Sequence, residues 1–537
     1  MNIKHKTSPL ERSRLQDEAH LQSHQMWSRR DFLSAFGLFS ARSLALGNSA
    51  IHVFQPNPLW AALANGNTDR ILVLIRLDGG NDGLNTIVER NNPSYYNLRP
   101  NIAISDNQLW ALSNQYGMPF STFPLQPFWK EGQMKTIFNV GYPQPNYSHF
   151  RSYDIIASGS DSDVVLNTGW LGRFLDNEYP VFLETPPSVP PALQIGVQAD
   201  LIFRSDQLNM GLAVSSPQEF YSIAQSGQLY NTTGLGNTAR DQELAFVRQT
   251  ANAAFRYADS VQNAYNRGKN QVNYPSQNTL AEQLAIVARL IKGNLGTQIF
   301  MVKLAGFDTH AQQFDFHQNL LSKLSEAIKA FYDDLSIGGK SLPNKVLSMT
   351  FSEFGRTIYE NASLGTDHGW GTPVLLFGGN IGQGFAGQYQ DLGNPDPLAD
   401  PPFSIDFRAI YATILQDWMG AHADVVRYIL GNQFPIIPGL VPSTAPESSQ
   451  KCILLGHNPH PDKTDVVQIK YAMKQPGQIR LQILDKAGYP LRTLVREFKP
   501  TGSYTFELQA SEWYLTPGNY RYRLQSGGQV FERNIKL

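Results

Sequence analysis

Arg70-Ile-Leu-Val-Leu-Ile-Arg-Leu77, followed at once by Asp78-Gly-Gly-Asn-Asp-Gly83, sets the fold class of this chain. A short apolar run closed by a glycine turn has the texture of a strand covered on both faces, which needs no polar alternation. The same reading predicts strands over Met134 to Val140, Gln298 to Leu304, Lys345 to Phe351 and Pro373 to Phe377. Helical periodicity runs through Thr279 to Lys292, His317 to Leu335 and Asp406 to Met419. Strands alternating with helices predict an α/β unit with a largely parallel central sheet flanked by helices. Polar residues gather just past the strand ends, where open α/β sheets place their ligands.

At 537 residues the chain is long enough for two or more folded units. Apolar residues make up 42% and charged residues 17%, a globular composition. Basic and acidic side chains number 44 and 45, for a formal net charge of -1, so charge gives no reason to expect nucleic acid as a partner. No apolar run is long enough for a convincing membrane-spanning helix, and the mature form is expected to carry no transmembrane anchor. The single cysteine, Cys452, excludes an intramolecular disulfide and a Cys/His zinc cluster, and reads as a lone buried thiol. So little cysteine suits a protein that folds in the cytoplasm and works in an oxidising compartment.

Ser28-Arg-Arg-Asp-Phe-Leu33 precedes a moderately apolar stretch, Phe32 to Leu46, and Ala62-Leu63-Ala64 offers a small-x-small cleavage site. These are the parts of a twin-arginine export signal, although the polar lead is long and Arg42 interrupts the apolar region. Residues 1–64 are therefore read as signal and lead, and 65–445 as the α/β domain. Residues 446–464, in a stretch rich in Pro, Ser and His, read as a linker. Residues 465–537 hold short alternating segments separated by glycine turns, from Val466 to Tyr471 through Val530 to Ile535. They predict a small antiparallel β-sandwich of immunoglobulin type.

Four constellations carry candidate chemistry. Asp78 directly follows the first strand, where glycines permit close approach. Ser148, in Asn146-Tyr147-Ser148-His149-Phe150, sits where a helix should begin, among free backbone N–H groups that favour anions. Asp308 and His310 follow a strand, and Asp367 and His368 precede another. Carboxylates and imidazoles converging from strand ends suit a divalent metal, and a metal beside Ser148 would make its hydroxyl a nucleophile. Singly, Asp78 and Ser148 also fit turn and cap roles. Gly378 to Gly384 reads as a turn rather than a phosphate loop, Asp82 as a supporting or turn residue, and Trp170 and Trp370 as pocket, core or rim residues alike.

Asp-Gly-Gly-Asn-Asp-Gly from Asp78, Asn-Tyr-Ser-His-Phe-Arg-Ser from Asn146 and Gly-Phe-Asp-Thr-His from Gly306 resemble motifs of the exported bacterial family called domain of unknown function 1501. So do Ser-Glu-Phe-Gly-Arg-Thr from Ser352 and Thr-Asp-His-Gly from Thr366. The resemblance covers residues 28–440 and implies an alkaline-phosphatase-like fold. It implies one or two divalent ions, with zinc, manganese, calcium and magnesium fitting equally. The implied metal ligands are Asp78, Asp308, His310, Asp367 and His368. Ser148 is the implied nucleophile, Arg356 holds the anionic group, and Glu353 and Asp82 give support. The implied activity is hydrolysis of phosphate or sulfate esters, on a small anionic ester or surface glycan.

The sequence also departs from the superfamily pattern. Asp308 and His310 stand at Asp-x-His spacing where the pattern is wider, and no histidine follows Gly371. One metal site is thereby left incomplete, and His149 and His317 are not expected to fill it. A non-catalytic cell-surface or binding protein on the same fold is the alternative. The C-terminal segment, Ile479 to Leu494 with Leu515 to Tyr520, resembles both the flagellar-hook-cap immunoglobulin-like domain and type IX sorting domains. Export is expected by way of the twin-arginine translocase to the periplasm, or to the cell surface or medium if that domain is a sorting tag.

Overall fold

A computed structural model describes residues 69–537 apart from 180–181, 183–185, 206–208, 227–251, 253–254, 394–402, 422, 444–451, 460–465, 474, 486–487 and 527–528. The export-signal residues Ser28, Arg29, Arg30, Phe32 and Leu33, and the site at Ala62 to Ala64, lie outside the described residues.

Among the described residues the central sheet has nine strands: β1 (Ile71–Asp78), β2 (Met134–Gly141), β3 (Ala192–Ile195), β4 (Gly211–Val214), β5 (Ile299–Ala305), β6 (Val346–Phe351), β7 (Thr372–Gly378), β8 (Gly384–Ala386) and β9 (Ile405–Asp406). Their order is β8-β2-β7-β6-β1-β5-β3-β4, with β9 beside β2. The apolar opening run becomes β1, between β5 and β6, with Leu74 in register with both Met301 and Met349. Leu72, Val73, Leu74 and Ile75 are fully buried, as a strand covered on both faces should be. The helices around the sheet include α1 (His149–Ser158), which begins at a candidate site residue, α2 (Thr279–Lys292) and the 24-residue α3 (Gln313–Ser336). Asn278 starts α2 by accepting a hydrogen bond from Ala281 N, and Arg289 and Lys292 lie in its last turn, where the helix dipole favours cations.

The sheet is largely parallel, as expected, with β7 the exception. It runs antiparallel to both β2 and β6. Its first residue therefore lies at the edge where the parallel strands end, and that brings Asp367 and His368 to the same rim as Asp308. Residues 379–383 form the turn between β7 and β8.

Beyond the sheet, strands β10 (Cys452–Pro459), β11 (Val466–Met473), β12 (Gly477–Leu484), β13 (Pro490–Lys499), β14 (Gly502–Gln509), β15 (Asn519–Ser526) and β16 (Gln529–Lys536) form two antiparallel sheets, ordered β10-β11-β14 and β13-β12-β15-β16. Leu454, Ile469, Leu508, Leu481, Ile483 and Leu524 of the two sheets share one apolar cluster, so the expected sandwich is present. It includes a strand from Cys452, within the stretch read as a linker. The alternation of Cys452 to Pro459 is weak because most of its side chains are apolar. Cys452 is free and buried, and burial pushes its thiol up to about 11.

Candidate metal centre

Three loops at the carboxyl edge of the sheet build the site together with the start of α1, which carries His149. The first follows β1, where Gly79 has φ +123 and a Cβ there would lie 2.4 Å from Asp308 N. Only glycine allows that approach to the second loop, Gly306 to His310, which Phe307 N pins to Asp78 O at 3.1 Å. The third spans the short pairing of Gly355–Arg356 with His368–Gly369. Arg356 ties the three together. Its guanidinium, fully buried, donates to Gly80 O (2.8 Å), Phe307 O (3.0 Å), Thr366 O (3.1 Å), Gly79 O and Asp308 Oδ1 (2.6 Å).

Histidines 149, 310 and 368 meet at Asp308. Their Nε2 atoms lie 3.4, 3.0 and 3.3 Å from Asp308 Oδ1. His310 Nε2 and His368 Nε2 are 3.0 Å apart. Each ring is anchored through its other nitrogen. His368 Nδ1 donates to Tyr147 O (2.7 Å), His149 Nδ1 to Glu353 Oε1 (2.7 Å) and His310 Nδ1 to Asp367 Oδ1 (2.9 Å). A carbonyl or ionised carboxylate only accepts, so each ring keeps its proton on Nδ1, and Nε2, facing Asp308, is the nitrogen that would give up its proton when a cation binds. Phe354 packs against both His149 and His368, at ring separations of 4.8 and 4.5 Å.

The electrostatics follow from that crowding. Burial works to raise the Asp308 carboxyl, but His149, His310, His368 and Arg356 outweigh it and hold it far below the usual carboxylate range. Asp308 and then Glu353 raise the His149 imidazole to about 9. Asp308 is also the leading cause that raises His310, ahead of Asp367.

The donor set fits a divalent cation. The ligand atoms of His149, Asp308 and His368 lie within 4.8 Å of one another. His149 Nε2 is buried, with its ring fixed so that this atom faces Asp308 Oδ1 at 3.4 Å, longer than a good hydrogen bond. A tetrahedral ion with ~2.0–2.1 Å bonds needs donor separations of ~3.3 Å, which His149 and His368 meet from Asp308 Oδ1 at 3.4 and 3.3 Å, with all three donors within 4.8 Å of one another. Ring nitrogens held by carboxylates or a carbonyl are the usual support for metal-ligating histidines.

The remaining candidates lie in other settings. Asp78 pairs with Arg76, and with Lys303 Nζ at 3.3 Å, and is not in the converging trio. Asp367 reaches the centre through His310, with Asn361 Nδ2 on the same oxygen at 3.1 Å. Ser148 is exposed at the N-cap of α1 and its hydroxyl makes no capping bond. Glu353 is fully buried and also accepts from Gly79 N at 2.9 Å. Asp82 caps the turn Gly83–Thr86 and forms a fully buried ion pair with Arg99 at 2.6 Å. His317 is buried against Phe307 with Nε2 3.0 Å from Asn81 Oδ1, away from the trio. Trp170 is a core residue stacked on Tyr411, and Trp370 is part-exposed and donates to the Tyr147 hydroxyl. His149 is the residue the sequence reading set aside. Its signal was its place beside Ser148 at a helix start, and the partners that define it lie at positions 308 and 353.

A family model described as "Protein of unknown function (DUF1501)" matches residues 132–439. No curated protein matches the chain. Among solved structures, a protein in the alkaline phosphatase superfamily from Vibrio parahaemolyticus aligns at 9% identity over 91% of this chain and 93% of that one, with a TM-score of 0.29. The PsFucS1 sulfatase from Pseudoalteromonas sp. aligns at 11% identity over 87% and 92%, with a TM-score of 0.31. The alkaline phosphatase from the Antarctic bacterium TAB5 aligns at 11% identity over 60% and 95%, with a TM-score of 0.25. At TM-scores this low, the chemistry of the site rests on its own geometry.

Proposed function

We propose, given that this chain belongs to the DUF1501 family, that it is an exported metal-dependent hydrolase of phosphate or sulfate esters. The observation that carries the reading is the convergence of three anchored imidazoles on Asp308. His149, Asp308 and His368 would hold a divalent ion, with His310 beside them and Asp367 and Glu353 orienting the rings. Such an ion supplies Lewis acidity and lowers the pKa of a nearby hydroxyl.

Ser148 is the proposed nucleophile. It stands at the start of a ten-residue helix, where unpaired backbone N–H groups and the helix dipole favour an anionic ester. Its oxygen would bond to phosphorus or sulfur as the bond to the alcohol breaks and the serine proton passes to the departing alcohol. Water would then cleave the bond between Ser148 and the phosphoryl or sulfuryl group, restoring the serine proton and releasing phosphate or sulfate. Arg356, with its donors on loop carbonyls and Asp308, serves in this reading to hold the loops and the carboxylate in place. Asp78 remains a candidate for a second ion only if it leaves Arg76 and Lys303.

That pairing of Asp78 favours a second reading, a binding protein on the same fold with one cation site and no turnover. Among the described residues no helix is long and apolar enough to cross a membrane. The proposed route is the twin-arginine translocase, supported by Arg29 and Arg30, to the periplasm or onward to the surface.

A screen of aryl and alkyl phosphate and sulfate esters, with and without divalent ions, tests the function. Turnover that needs both metal and Ser148 is the expected result. A Ser148→Ala variant that folds and binds metal, beside a wild type with no turnover on any ester, would favour the binding protein.

A further inference from the structure

Tyr147 and Trp370 adjoin the candidate centre with side-chain surface in water, and a third large aromatic, Phe150, follows His149 in α1. Tyr147 is 43% exposed and Phe150 88% exposed, and Trp370 is part-exposed. Single exposed apolar residues are ordinary, but several at the mouth of one candidate site mark a surface built to be covered. Tyr147 and Trp370 are joined by the bond from Trp370 Nε1 to the Tyr147 hydroxyl, and Tyr147 O accepts from His368 Nδ1 at 2.7 Å. The aromatic wall is thus fastened to a residue of the trio through Tyr147, and Phe150 is the residue after His149 in α1.

Charge narrows what the wall can hold. Arg151, next to Phe150, donates through Nη2 to Ser162 O (2.9 Å) and Val164 O (2.8 Å). Arg356 is committed to the loops. Asp367, the exposed charge nearest His368 in sequence, is negative. A polyanionic leaving group would find carbonyl-bound arginines and a carboxylate there, whereas an uncharged ring would find aromatic faces.

We propose that Tyr147, Phe150 and Trp370 select substrates whose alcohol part is an uncharged ring with an apolar face, such as an aryl ester. This inference rests on the hydrolase reading and deepens it, because the ring would lie against the wall while the anionic group sits at the centre. Burying one ring face against aromatic side chains is expected to strengthen binding about tenfold.

The test uses two non-hydrolysable anions, phenylphosphonate and methylphosphonate, titrated calorimetrically into the metal-loaded full chain. The wild type should bind the phenyl compound about tenfold more tightly. That ratio should fall toward one in Trp370→Ala, fall in Phe150→Ala, and recover in Trp370→Phe, which keeps a ring face without the N–H. Phe150 is exposed enough that its variant tests the wall without disturbing the core. Equal affinities in the wild type, or a preference that survives both alanine variants, would overturn the ring-binding wall and leave the hydrolase reading standing. Binding of neither phosphonate would overturn the anion site itself, and this inference with it.

Discussion

His149 Nδ1 lies 2.7 Å from Glu353 Oε1, and Glu353 has no exposed side-chain surface. That contact fixes the ring, its tautomer and the direction of Nε2, so a carboxylate that reaches no substrate decides whether a ligand exists.

Glu353→Gln separates the charge from the contact. The glutamine oxygen can still accept from Gly79 N, but it supports the imidazole less strongly as a metal ligand. Divalent-ion affinity should fall about 10- to 100-fold with the fold intact. Titration calorimetry beside circular dichroism checks this, and unchanged affinity would mean that His149 is not a ligand.

Arg356→Lys should do more than a charge-conserving change suggests. A lysine ammonium has three donors on a point charge and cannot span the acceptors on Gly79, Gly80, Phe307, Thr366 and Asp308. Buried carbonyls left unpaired should cost about 3 kcal/mol or more, and the metal should be lost as well. Denaturant unfolding measures the first effect and elemental analysis the second.

Asp82 and Arg99 are both fully buried and paired at 2.6 Å, with Gln313 and His317 nearby. Asp82→Asn leaves the arginine charge buried without its counter-charge, at an expected cost of about 3–5 kcal/mol. A fall in the urea midpoint without a change in slope is the signature to look for.

His317 gives the pH dependence. Burial is the leading cause that pushes its imidazole down to about 4, from about 6.5 in the unfolded chain. A lowered histidine is neutral in the fold and must take up a proton to unfold. Its contribution is therefore present above about pH 6.5 and lost as the pH falls toward 4, by about 3 kcal/mol in all. His317→Gln, which can still meet Asn81, should flatten that part of the curve of stability against pH. An unchanged curve would place the acid sensitivity elsewhere.

The sequence made the strands legible because buried parallel strands are runs of apolar residues, as from Ile71 to Leu77. It also named Asp308, His310 and His368 from their places at strand ends. It could not give the direction of β7, since Thr372 to Gly378 reads the same in either sense and only pairing with β2 and β6 settles it. Nor could it find His149 as part of the trio, because Glu353 lies 204 positions away. Arg356 looks from sequence like an anion holder, and only the fold reveals that its donors meet loop carbonyls.

The central claim is that His149, Asp308 and His368 hold a divalent ion. Elemental analysis of the purified chain, beside His149→Ala and Asp308→Asn, tests it most directly. At least one tightly held ion per chain, lost in both variants while they stay folded, is the expected result. A folded wild type that retains no ion after loading with excess zinc or manganese, or variants that keep the ion, would contradict it.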